Sequence, residues 1–194
     1  MTTRVTLLCH ASTEATRAAR FPADEALDAK GKAQLSAMAP GWRAIVGRAD
    51  RRLTAPSLRA RQTAAALEEE FVEEPLLREH DYGSWTGLSL AEAEARDPQV
   101  AAIWIADPSS APHGGERLVD LVDRVANWMG ETAAQGGRVV AVTHTAVIRA
   151  AIVHAVAAGP VAFWHIEVPP LARVDLSHDG RRWSLRALVA PPKP

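Results

Sequence analysis

The chain has 194 residues, 47% of them hydrophobic, which is enough for one domain around one sizeable core. A formal charge of −1 supplies no positive field to gather nucleic acid or an anionic membrane, and the single cysteine, Cys9, excludes an internal disulfide and a zinc site of paired cysteines. No apolar run reaches the roughly 18 residues of a spanning helix and no basic-then-apolar leader precedes Val5, so the expectation is a cytoplasmic protein with no nucleic-acid and no membrane partner.

Arg4 to Cys9 is an apolar, β-rich run without polar alternation, the pattern of a strand buried on both faces. Ala29 to Met38 carries helix formers, and Pro40-Gly41 predicts an end or a kink before apolar spacing resumes over Trp42 to Val46. Arg52 to Thr54 reads as a second strand, after which Pro56 and Ser57 open a helix from Leu58 to Glu69. From His80 to Arg117 glycines and prolines divide the chain into short helical pieces, Leu90 to Arg96 and Gln99 to Ala106, which suits an excursion roofing the sheet. Leu118, Leu121, Val122, Val125, Trp128 and Met129 fall at helical spacing, so a helix is predicted from Arg117 to Ala134, ended by Gly136-Gly137. Arg138 to Thr143 repeats the buried-strand pattern and Thr145 to Ala157 the helix after it. Phe163 to Val168, Ala172 to Ser177 and Trp183 to Leu188 read as late strands, the last two joined by a turn at Asp179-Gly180.

Strands alternating with helices and ending in a hairpin predict a single three-layer α/β domain over residues 1–190, with a mostly parallel central sheet, helices on both faces and an antiparallel edge. Residues 191–194 are expected to be a loose tail, and nothing in the pattern sets an oligomeric state. Ligands of open α/β sheets bind beyond the carboxyl ends of the strands, where helix N-termini aim unpaired N–H groups. Three such junctions here carry His10, the pair Arg59 and Arg61, and His144. The chain has no Gly-x-Ser-x-Gly elbow, Walker loop or dinucleotide fingerprint, and none of its 7 histidines forms a close helical pair, so neither a cofactor nor a metal is expected.

Leu7-Leu-Cys-His10-Ala-Ser-Thr13 resembles the arginine-histidine-glycine opening of the histidine phosphatase superfamily, which includes the cofactor-dependent phosphoglycerate mutases. Ala55-Pro-Ser-Leu-Arg59-Ala-Arg-Gln-Thr63-Ala resembles that family's second motif, Glu79-His-Asp-Tyr-Gly83-Ser-Trp85-Thr-Gly87 its third, and Val142-Thr-His144-Thr-Ala-Val-Ile-Arg149-Ala its fourth. Pro112-His113-Gly-Gly-Glu116 is similar to a segment of phosphatase branches such as the α-ribazole phosphatases, and it also reads simply as a turn before the long helix. The resemblance implies a phosphomonoesterase for a small phosphorylated substrate. His10 would be the nucleophile that becomes a phosphohistidine, Glu79 the acid and base, and Arg59 and His144 the ligands of the phosphoryl oxygens. Partial burial would serve Glu79 best by raising its pKa toward neutrality.

Cys9 stands where the family has the arginine that clamps the phosphoryl group, and loss of one such donor can cost about a hundredfold to a thousandfold in turnover. Arg17, Arg20 and His113 are the candidates to compensate. Ala11 and Thr145 occupy common glycine positions, Thr16 a common asparagine and Thr86 a common glutamate, with Thr16 and Thr145 taken as substrate-binding positions. Cys9 is not a cysteine-phosphatase nucleophile, because the arginine such enzymes carry six residues later is Ala15. The alternative to an enzyme is a catalytically impaired phosphoester-binding or regulatory protein on the same fold.

Overall fold

Thr3–Cys9 form β1, and Leu7, Leu8 and Cys9 are all fully buried, which three successive strand residues achieve only when both faces of the sheet are covered. In the computed structural model, which describes residues 2–192, β1 lies inside a six-stranded sheet. Its parallel part comprises β1, β2 (Arg51–Thr54), β3 (Val72–Glu73) and β4 (Gly137–Thr143). The hairpin of β5 (Arg173–His178) and β6 (Trp183–Val189) adds the antiparallel edge, giving the order β3-β2-β4-β1-β5-β6. Cys9 stands opposite Thr143 and Thr54 opposite Val142, so three strands end level and deliver His10, His144 and the turn to Arg59 to one edge of the sheet.

The connecting helices are α1 (Glu14–Arg17), α2 (Ala29–Val46), α3 (Leu58–Ala65), α4 (Leu90–Arg96), α5 (Val100–Ala106), α6 (Leu118–Gln135) and α7 (Thr145–Ala155). α6 buries Leu118, Leu121, Val125, Trp128 and Met129, the face its spacing predicts, and Gly136 ends it at φ 73°. Among the described residues no helix is long and apolar enough to cross a membrane.

Three expectations change. α2 runs through Pro40 to Val46 without a break, because Leu35, Ala39, Trp42 and Val46 keep one buried face on both sides of it. Pro40 itself is exposed, where water can serve the carbonyl it leaves unbonded. Phe163 to Val168 is not a strand: Pro160 opens a 3₁₀ helix over Pro160–His165, and the place beside β1 where a further strand could pair is already held by β5. α3 stops at Ala65 rather than Glu69, and the two-residue β3 has no sequence signal, since both its residues are exposed. Of the tail expected over 191–194, residues 193 and 194 lie outside the described residues.

Candidate active site

His10 follows β1, and its backbone N–H donates to the Thr143 carbonyl at 2.9 Å. Its Nδ1 lies 2.8 Å from the Ala11 carbonyl, and because a carbonyl only accepts, Nδ1 carries the hydrogen and Nε2 the free lone pair. That lone pair faces Arg59, whose Nε donates to it at 3.2 Å. Arg59 sits in the first turn of α3, capped by Ser57, and is 1% exposed. Its Nη2 reaches Glu79 Oε2 at 3.2 Å and its Nη1 donates to the Ala23 carbonyl. His144 caps α7 and is fully buried. Its Nδ1 is 3.2 Å from Glu79 Oε2 but poorly aligned for a hydrogen bond, its Nε2 is 3.4 Å from Ser57 Oγ, and its ring lies 5.2 Å from that of His10.

Electrostatics follow from this packing. Burial, then the neighbouring His144 and Arg59, push His10 down to about 3, so the ring is neutral through the physiological range. Burial pushes Glu79 up, but His144, Arg59 and His10 together outweigh it and hold the carboxyl well below the usual carboxylate range. This reverses the expected rise toward neutrality, because a side chain 17% exposed meets three cationic or polar partners rather than an apolar wall. Burial pushes the Cys9 thiol up to about 12, with Sγ lying 3.4 Å from Thr145 Oγ1.

His10, Glu79 and His144 each offer one ligand atom, all within 4.8 Å of one another, a donor set that could suit a transition metal. Arg59 opposes that use, since its guanidinium is bonded to His10 Nε2 and to Glu79 Oε2, two of the atoms a metal would need. A buried guanidinium, two histidines and the N-terminus of α7 suit an anion.

The remaining sequence candidates have partners of their own. Arg17 is half exposed and pairs with Glu14 and, at 3.0 Å, Asp28. Arg20 donates to Glu92 at 2.7 Å and to the Gly87 carbonyl at 2.8 Å. Thr16 is exposed on α1 with its hydroxyl on Thr13, and Thr145 donates to the Val168 carbonyl at 3.0 Å. His113 is buried, accepts from the Gly115 N–H at 3.0 Å, and stands edge-on to Trp85 at 5.2 Å; burial and then His80 push it down to about 4.

The segment around His113 holds the loop of Glu79. Arg124 on α6 binds both Glu116 oxygens at 2.8 Å and donates to the carbonyls of Leu76 and Arg78, while His80 Nε2 donates to the Glu116 carbonyl at 2.7 Å. Gly83 has φ 46°, and a Cβ there would meet the His113 carbonyl at 2.2 Å. Phe21, Tyr82, Trp85 and Trp104 pack with His113 into an aromatic roof, Trp104 reaching Trp164 at 4.6 Å. Outside it a cleft of about 350 Å³, lined by Ser57, Arg59, Glu79, Asp81, Tyr82 and Thr86 among others, opens onto the cluster. Ser57 reads in the sequence only as a helix opener, and its place against His144 is set by the meeting of α3 and α7.

A family model described as the histidine phosphatase superfamily (branch 1) matches residues 5–191. The "Bifunctional protein Rv2228c" of Mycobacterium tuberculosis is 31% identical over 188 residues, covering 92% of this chain but 51% of that protein. The chain thus spans about half the length of these curated relatives. Among solved structures, "Mycobacterial hydrolase 1" superposes with a TM-score of 0.86 at 25% identity over 99% of this chain and 100% of that one. Mycobacterial glucosyl-3-phosphoglycerate phosphatase Rv2419c, in complex with VO3, gives 0.82 at 26% identity over 98% and 100%.

Proposed function

Because the chain belongs to the histidine phosphatase superfamily, we propose that it hydrolyses a small phosphomonoester through a phosphohistidine on His10, without a metal ion. The observation that carries this is the His10 tautomer: Nδ1–H is tied to the Ala11 carbonyl, so the Nε2 lone pair is presented to a buried guanidinium and carboxylate. An incoming phosphoryl oxygen takes over the Arg59 Nε–H that Nε2 holds in the free site. Nε2 then attacks phosphorus, the bond to the leaving alcohol breaks, and Glu79 gives that oxygen its proton. Water attacks the phosphohistidine, its proton passes to Glu79, the P–N bond breaks and inorganic phosphate leaves. Arg59 and His144 neutralise the equatorial oxygens. Glu79 is ionised in the free site, so its proton comes in with the substrate: the phosphomonoester binds as the monoanion, passes its proton to Glu79, and the doubly negative phosphoryl group left behind holds it there by raising the Glu79 pKa.

The leaving group sits in the cleft beside Tyr82 and Thr86, whose volume of about 350 Å³ suits a small metabolite. A second reading rests on Cys9: a chain with no cation at that position binds phosphoesters without turning them over. Hydrolysis of an aryl phosphate from pH 5 to 8 in the presence of chelator, with acid-labile labelling of the protein, separates the two. The enzyme reading expects turnover and label that vanish in His10→Ala. Turnover surviving His10→Ala refutes the nucleophile, and phosphate binding without turnover supports the binder.

A further inference from the structure

His144 is fully buried, and among the described residues its ring makes one hydrogen bond. That bond joins Nε2 to the hydroxyl of Ser57 at 3.4 Å. Nδ1 stands 3.2 Å from Glu79 Oε2 without the alignment of a hydrogen bond. A neutral imidazole carries one hydrogen on two nitrogens, and the partner of one nitrogen decides where that hydrogen sits. For His144 that partner is Ser57.

The bonding of the hydroxyl gives the direction. Ser57 caps α3, and its Oγ accepts the Ala60 N–H at 3.3 Å. Among the described residues its own hydrogen has one acceptor, His144 Nε2. An O–H donated to Nε2 makes that nitrogen the lone-pair side and puts the ring hydrogen on Nδ1. Glu79 favours the same arrangement, because a lone pair on Nδ1 would face an ionised carboxylate oxygen. That oxygen, Oε2, is the one bound by Arg59 Nη2, while Arg59 Nε holds His10 Nε2. The Nδ1 hydrogen is therefore on the side of the nucleophile, where a phosphoryl oxygen needs donors.

We propose that Ser57 is a positioning residue whose hydroxyl holds His144 in the Nδ1–H tautomer and so keeps that ring a donor toward the phosphoryl site. The step it serves rests on the phosphohistidine reading, whereas the tautomer belongs to the free protein and is read without turnover. A bond of 3.4 Å is long, as catalytic hydrogen bonds of free sites often are before substrate tightens them. Without the hydroxyl the hydrogen is free to move to Nε2, which turns a lone pair toward the incoming oxygens.

The test uses Ser57→Gly, Ser57→Ala and Ser57→Thr, because helix capping and His144 positioning rank them differently. Glycine caps a helix about as well as threonine and alanine caps poorly, whereas glycine and alanine both lack the hydroxyl that threonine keeps. Nitrogen NMR shifts of the His144 ring, assigned with His144→Gln, report the tautomer. Aryl phosphate turnover and vanadate affinity report the site, and thermal melting reports the cap. The Nδ1–H tautomer is expected in the natural chain and in Ser57→Thr, and a mixture in Ser57→Gly and Ser57→Ala. Turnover and vanadate affinity fall about tenfold in both Ser57→Gly and Ser57→Ala, Ser57→Thr keeps most of each, and only Ser57→Ala melts well below the natural chain. A loss of function confined to Ser57→Ala, a His144 that keeps one tautomer in Ser57→Gly, or a natural chain with the hydrogen on Nε2 overturns the proposal. A chain without turnover whose His144 still changes tautomer in Ser57→Gly refutes the enzyme reading and leaves the positioning role. Turnover that requires His10 while His144 is unchanged in Ser57→Gly does the reverse.

Discussion

Replacing Arg124 by methionine removes the support of the Glu79 loop while keeping a stem of similar length. Arg124 and Glu116 are 6% and 8% exposed at their side chains, and the arginine donates four hydrogen bonds, two to Glu116 at 2.8 Å and two to the carbonyls of Leu76 and Arg78 at 2.6 and 3.1 Å. Arg124→Met leaves a buried carboxylate with only Arg78, 3.2 Å away and 48% exposed, as cationic partner. Stranding a buried charge in this way costs roughly 3–5 kcal/mol, which for a domain of this size lowers the melting temperature by about 10 °C. Because the Arg78 carbonyl precedes Glu79 directly, aryl phosphate turnover also falls at temperatures where the variant is fully folded. Urea unfolding with an unchanged slope measures the first effect, and Arg124→Met/Glu116→Leu controls it, since removing the stranded charge makes the double variant more stable than the single. A loss below about 1 kcal/mol, or a double variant less stable than the single, refutes this account of the loop.

Acidification from pH 6.5 to 5 is expected to lower stability. His10 and His113, pushed down to about 3 and about 4, bind fewer protons folded than unfolded in that window, so stability is lost as pH falls below 6.5, by up to about 1.4 kcal/mol per pH unit for each. Melting temperatures across that range check it, with a shallower dependence in His10→Gln; a flat profile refutes it. Turnover shows no acid limb from His10 itself between pH 5 and 8, because the ring stays neutral there. Cys9, buried with its thiol at about 12, stays unalkylated by iodoacetamide in the native chain and reacts on unfolding, which mass spectrometry reads directly. Gly83→Ala, driving a Cβ to 2.2 Å from the His113 carbonyl at φ 46°, lowers stability by more than about 1 kcal/mol and reduces turnover, whereas Gly87→Ala, with open space around its Cβ, has the smaller effect.

What the sequence by itself determined was whatever local pattern encodes. β1 and β4 announce themselves as apolar runs without alternation because both faces are covered, and α6 by the spacing of its buried face. His10 and His144 each follow a strand directly and Arg59 opens the helix after β2, so strands that end level carry the three to one edge of the sheet. Tertiary structure alone decided what depends on partners distant in the chain. Pro40 stays helical because its helix is held by packing on the opposite face, and the segment at Phe163 forms a 3₁₀ helix while β5 takes the place beside β1. The direction of the Glu79 shift was invisible in sequence, since burial and three neighbours from separate elements oppose one another and only their distances settle the sign.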